Sequence, residues 1–116
     1  MSNNPSTVPH GNVKNEWNIA VQLSPTTVNP ATTVEQTFAV TGVHLGDFVY
    51  AVKPTWQAGL GIVNSRVSAN DVLALTFINV SATTTVVPTA SETYIILVNR
   101  PENFNLAGSF SALQIP

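Results

Sequence analysis

Apolar residues recur at every second position in several separate stretches of this chain, and nowhere at the three- and four-residue spacing of a helix. In residues 16–23 (EWNIAVQL), Trp17, Ile19, Val21 and Leu23 fall on one side and Asn18, Ala20 and Gln22 on the other, which predicts a half-buried strand. Val34, Phe38 and Val40 share a face opposite Glu35, Thr37 and Thr41, a second strand that Gly42 turns toward His44-Leu45-Gly46-Asp47. Residues 47–52 (DFVYAV) are apolar on both faces. That is the pattern of a strand covered by a second sheet or by a neighbouring subunit, and it predicts a central position. Lys53, Pro54 and residues 57–61 (QAGLG) end it, because proline cannot donate to a ladder and glycine loosens the backbone.

Residues 61–68 (GIVNSRVS) and 71–80 (DVLALTFINV) are two β-rich runs joined through Asn70 and Asp71, which tolerate left-handed backbone, so a hairpin is predicted. Its second arm puts Leu73, Leu75 and Phe77 on one face and Val72, Ala74, Thr76 and Ile78 on the other. Residues 81–91 (SATTTVVPTAS) read as a loop or a weak edge strand that stops at Pro88. Residues 92–98 (ETYIILV) are the last strong strand. Six or seven strands with no helix between them define an all-β fold, a single antiparallel β-sandwich of jelly-roll or related kind over residues 16–100.

The two ends differ from this centre. Residues 1–15 are rich in Asn, Ser and Pro and form an extended N-terminal arm, in which Val8 and Pro9 are candidate contact residues. Residues 101–116 form a C-terminal arm that spaces Phe104, Leu106, Phe110, Leu113 and Ile115 through small residues. Such a tail folds back along the sheet or lies on another chain.

Composition narrows the chemistry. Charged residues make up 9% of the chain, with a net charge of −2, which offers no basic field for nucleic acid. Thr, Ser and Asn account for 35 of 116 residues and keep the surface soluble in place of charge. Hydrophobic content of 44% is too high for a chain that cannot collapse. There is no cysteine, hence no disulfide scaffold and no cysteine zinc site. No cationic leader with an apolar run opens the chain, and no window reaches the roughly 20 apolar residues of a membrane span, so synthesis in a cytoplasm is expected, without a membrane partner.

No enzyme motif stands out, and neither a cofactor nor a metal is expected. His10 and His44 lack the spacing of a ligand pair. Asp47 is the one carboxylate near His44; its simpler role is to bond the backbone of its own turn. Residues 59–64 (GLGIVN) lack the third glycine and the helix of a dinucleotide loop. Asn79-Val80-Ser81 matches a glycosylation acceptor, a pattern common by chance. Arg66 and Arg100 read as solitary strand-edge charges that discourage unwanted pairing. Trp17 alternates with Ile19 and Val21 and belongs to the core, whereas Trp56 lies in a loop, where an exposed ring stacks on a sugar or fills a partner's pocket.

Residues 34–98 carry a resemblance. Val40-Thr41-Gly42-Val43 followed by Gly46-Asp47, Ala58-Gly59-Leu60, and Arg66-Val67-Ser68-Ala69-Asn70 are similar to small β domains of tailed-bacteriophage virion proteins, among them capsid cement or decoration subunits and domains of head or tail fibres. The similar residues serve packing and turns, and no catalytic residue is carried across. The resemblance implies a homotrimeric, non-enzymatic cement protein on the capsid surface of a virion. Its partners would be sister copies and the major capsid protein, met in the host cytoplasm during assembly. A fibre-base or tail adaptor, or a receptor- or carbohydrate-binding module using Trp56 and Tyr50 on a glycan, are the alternatives.

Overall fold

The computed structural model of the chain describes residues 13–101. Among them are six strands and no helix: β1 (Val13–Leu23), β2 (Thr32–Ala39), β3 (Phe48–Val52), β4 (Leu60–Ala69), β5 (Val72–Asn79) and β6 (Glu92–Pro101). They form two three-stranded antiparallel sheets, ordered β1-β6-β3 and β2-β5-β4. The inner faces of the two sheets supply the core. Leu73, Leu75 and Phe77 from β5 meet Tyr94, Ile96 and Val98 from β6, all completely buried. The inner face assigned to residues 73–77 from alternation therefore holds, and residues 92–98 form a strand as expected.

The hairpin at Asn70-Asp71 forms as the sequence predicts. Asp71 adopts a φ of 65°, within the left-handed region that aspartate tolerates. The same two residues also bind the turn between β2 and β3: the Asp71 carboxylate accepts from Gly42 N (2.9 Å) and the Asn70 side chain from Leu45 N (3.1 Å). Gly42 itself has a φ of 106°, open to few residues other than glycine. At the opposite end the 81–91 stretch is a loop joined to the β1–β2 connection by an isolated bridge, Val28 with Val86, and by bonds donated from Ala31 N to Ser81 O and from Ser91 N to Ser24 Oγ, each 2.9 Å. Asn79 anchors that end from within. Fully buried, its amide donates to Val28 O (3.0 Å) and Thr84 O (2.8 Å), so the acceptor-like Asn79-Val80-Ser81 offers no side chain for a glycan in the folded protein.

One expectation is overturned. β3 is not central but an edge strand, with β6 in the middle of its sheet. The apolar pattern on both of its faces has a different cause: Ala51 is buried in the core, while Tyr50 and Val52 point outward and are exposed.

Candidate functional site

The outer face of the β1-β6-β3 sheet is apolar on one half. Cross-strand register sets Tyr50 beside Leu97 and Val52 beside Ile95, the rows continuing onto β1 as Asn18 and Ala20. Tyr50 is 64% exposed, and Val52, Leu97 and Ile95 are each exposed by about two-fifths. Phe48 shares this side of β3. Four apolar side chains in contiguous rows on a flat sheet differ from single exposed leucines, which are ordinary, and mark a surface that gains from being covered. Of these, Ile95 and Leu97 were not singled out from sequence. The run Ile95-Ile96-Leu97, apolar on consecutive positions and hence on both faces, was the signal that could have found them.

Beside this face the two sheets part. β4 begins next to the end of β3, yet no ladder joins them among the described residues, and between them lies a groove of about 670 Å³. Its walls are Val49–Val52 on one side and Leu60–Ser65 on the other, with Trp56 at its end. Trp56, 84% exposed, stands in a loop, as predicted. The loop is held firmly. Lys53 Nζ bonds Thr55 O (3.0 Å) and Thr55 Oγ1 (2.9 Å) and lies 3.0 Å from Glu92 Oε1, while the Thr55 hydroxyl donates to the other Glu92 oxygen. Gln57 donates to Val87 O (3.0 Å) and accepts from Thr89 N (2.9 Å). Hydrogen bonding from Thr55 holds the Glu92 carboxyl below its ordinary range, with Lys53 assisting against the opposing effect of burial. Close to Glu92, Tyr94 is fully buried and its hydroxyl meets no hydrogen-bond partner among the described residues. Burial, reinforced by the Glu92 charge, pushes that phenol up to about 12.

A second polar cluster joins the start of β3 to the end of β6. Arg100 bonds both Asp47 oxygens at 2.8 Å and the Gly42 carbonyl at 3.0 Å, and its guanidinium sits 4.9 Å from the centre of the Trp17 ring. His44 contributes its backbone N–H to Asp47 (2.9 Å), so the two residues meet through the main chain. Burial raises the Asp47 carboxyl, but the bonds from Arg100 and His44 N outweigh it and leave the group below its usual range. An aspartate whose two oxygens accept three such bonds is well placed to hold a turn and poorly placed to take a proton.

The reading of Arg66 and Arg100 as solitary is corrected. Arg100 pairs with Asp47, and Arg66 bonds Glu35 across the outer face of β5 at 2.7 and 2.8 Å. Both partners lie tens of residues away in the chain, beyond the reach of local pattern. Trp17 is half-buried against the core, as expected. Val8, Pro9, Phe104, Leu106, Phe110, Leu113 and Ile115 lie outside the described residues. Among those described, no cluster of three His, Cys, Asp or Glu is arranged to hold a metal ion.

No protein-family model, curated protein or solved structure matches the chain. The functional reading therefore rests on its own residues and geometry.

Proposed function

We propose that the protein is a non-enzymatic structural subunit that assembles with copies of itself through the outer face of the β1-β6-β3 sheet. The setting implied by its resemblance is a tailed-bacteriophage virion, as a homotrimeric cement protein on the capsid surface. The observation that carries the assembly reading is the contiguous apolar surface of Tyr50, Val52, Ile95 and Leu97. A partner covering it removes apolar area from water and meets little charge, so the contact would be insensitive to salt, which suits a permanent joint in a particle. The strand order also supports a jelly-roll topology. Pairing of β1 with β6 and of β2 with β5, with β3 next to β4, is the nesting of one long hairpin rolled on itself.

The test is the absolute mass in solution by light scattering over a dilution series, for the natural chain and for Tyr50→Asp with Leu97→Asp. A trimer that the double substitution converts to a folded monomer is the expected result. A natural chain monomeric at every concentration overturns self-assembly. Copy number per particle then separates a cement subunit, present in many copies, from a fibre-base adaptor present in few.

Trp56 supports a second reading, a receptor- or carbohydrate-binding module, because an exposed indole beside a groove is a stacking platform. The polar side chains of its loop are already engaged within the protein, which leaves stacking with few hydrogen bonds to orient a sugar. A glycan screen in which Trp56→Ala abolishes a reproducible hit would favour this reading over assembly.

A further inference from the structure

The groove between β3 and β4 is bordered on both sides by strand edges. In an antiparallel ladder, N–H and C=O groups alternate in direction, so an edge strand directs every second pair away from its partner. β3 bonds only β6 and β4 bonds only β5 among the described residues, which leaves the facing edges of Val49–Val52 and Ile62–Ser65 without a ladder. β4 is also bulged between Ile62 and Asn64, turning Val63 outward at this point. The lining is mixed: Tyr50, Val52, Leu60 and Ile62 are apolar, Asn64 and Ser65 are polar, and the Trp56 ring stands at the end. Two rows of backbone donors and acceptors beside a partly apolar lining match an extended peptide, with its alternating side chains, better than a small molecule.

From these features we infer that the seam between β3 and β4 accepts a strand, and that its occupant is residues 103–115 of the same chain. β6 ends at Pro101, and its Asn99 stands opposite Phe48 at the start of β3. The chain therefore leaves β6 beside the start of β3, two strand spacings or about 10 Å from the seam. About three extended residues span that distance. The segment has the composition required: Phe104 and Leu106 alternate with Asn103 and Asn105, Leu113 and Ile115 follow beyond Gly108, and the one charge after Pro101 is Glu102. So short a tether gives it an effective concentration in the millimolar range, ahead of the same segment from another copy. Once inserted, it would complete the hydrogen bonding of both edges and join the two sheets. The inference is independent of any virion role.

Amide hydrogen exchange on the full chain, followed by NMR, tests it. The expected result is that groove-directed amides of β3 and β4 exchange at least about tenfold more slowly than the outer-edge amides of β1 and β2, which serve as the internal reference. Equal rates in the natural chain overturn the proposal. In the full chain carrying Phe104→Asn and Leu106→Asn, exchange of the groove amides is expected to speed up to the reference rate while β5 amides keep theirs. Slow exchange retained in that variant also overturns it. If β5 loses protection as well, the substitutions have damaged the fold, and the measurement on the natural chain decides alone. Protection that vanishes on dilution from about 100 µM to about 1 µM would assign the seam to a second copy and overturn the same-chain assignment. Solution mass is read separately, so failure of self-assembly and failure of strand insertion are distinguishable.

Discussion

The two sheets share a core but finish their outer faces in different ways. On β2-β5-β4, Glu35 and Arg66 come from the two flanking strands and clasp each other across β5, above a row where Ala74 is completely buried. The outer face of β5 is thus partly screened by its own chain: Ala74 is buried, and Val72, Thr76 and Ile78 are half-buried. On β1-β6-β3 the equivalent central strand alternates cleanly between buried and exposed residues, and the exposed ones include Ile95 and Leu97. No ion pair spans that face among the described residues. A charged clasp makes one surface complete in water, while a bare apolar row leaves the other to gain from contact. In a chain with so few charges, where they are placed separates a solvent face from a candidate joint.

The sharpest way to break this comparison is to truncate one side chain from each sheet. Phe77→Ala, in the core of the closed sheet, is expected to cost about 3–5 kcal/mol in denaturant unfolding. Leu97→Ala is expected to change the stability of the folded chain by less than about 0.5 kcal/mol and, on the proposed assembly, to weaken self-association instead. Equal losses of subunit stability would mean that Leu97 is packed within the subunit.

A change of pH acts chiefly on the β1-β6-β3 side. Asp47 and Glu92 are both held below their ordinary values in the folded protein, so the stability they confer is complete above the unfolded values near 3.8 and 4.5. It is lost as pH falls below them, and the thermal midpoint should decline from about pH 4.5 downward. Tyr94 works in the opposite direction. Raised from 10.0 to about 12, it contributes stability below pH 10 that disappears as pH rises toward 12. Tyr94→Phe should remove that alkaline loss and, because the hydroxyl has no partner among the described residues, leave stability at neutral pH close to unchanged. A thermal midpoint flat from pH 9 to 12 in the natural protein would contradict the burial of this phenol.

The smallest effect is expected from the clasp itself. Glu35→Gln in an exposed pair should shift the midpoint only slightly, and the shift should shrink further in high salt. A large, salt-independent loss would show that the clasp holds β5 in place instead of finishing a surface.

Much of the architecture could be read from residue order. Strand positions followed from alternation, and the β4–β5 hairpin from Asn70 and Asp71, because these are local effects of pleat and turn. Trp56 was found for a similar reason, as a ring between Lys53-Pro54-Thr55 and a glycine-containing turn. The position of β3 was not legible. An apolar two-faced strand has one pattern whether a sheet or a partner covers it, and only its pairing with β6, far along the chain, separates the cases. The partners of Arg66 and Arg100 were hidden likewise, since ion pairs between distant segments leave no periodic trace.

The pairing of Val13 with Pro101 brings the first and last described residues together at one end of the molecule. A pull applied through the two ends would therefore peel β1 from β6, loading one rung after another instead of shearing all of them at once. Such a domain is mechanically weak along its chain, and any assembly that placed it under load would have to pass force across its faces.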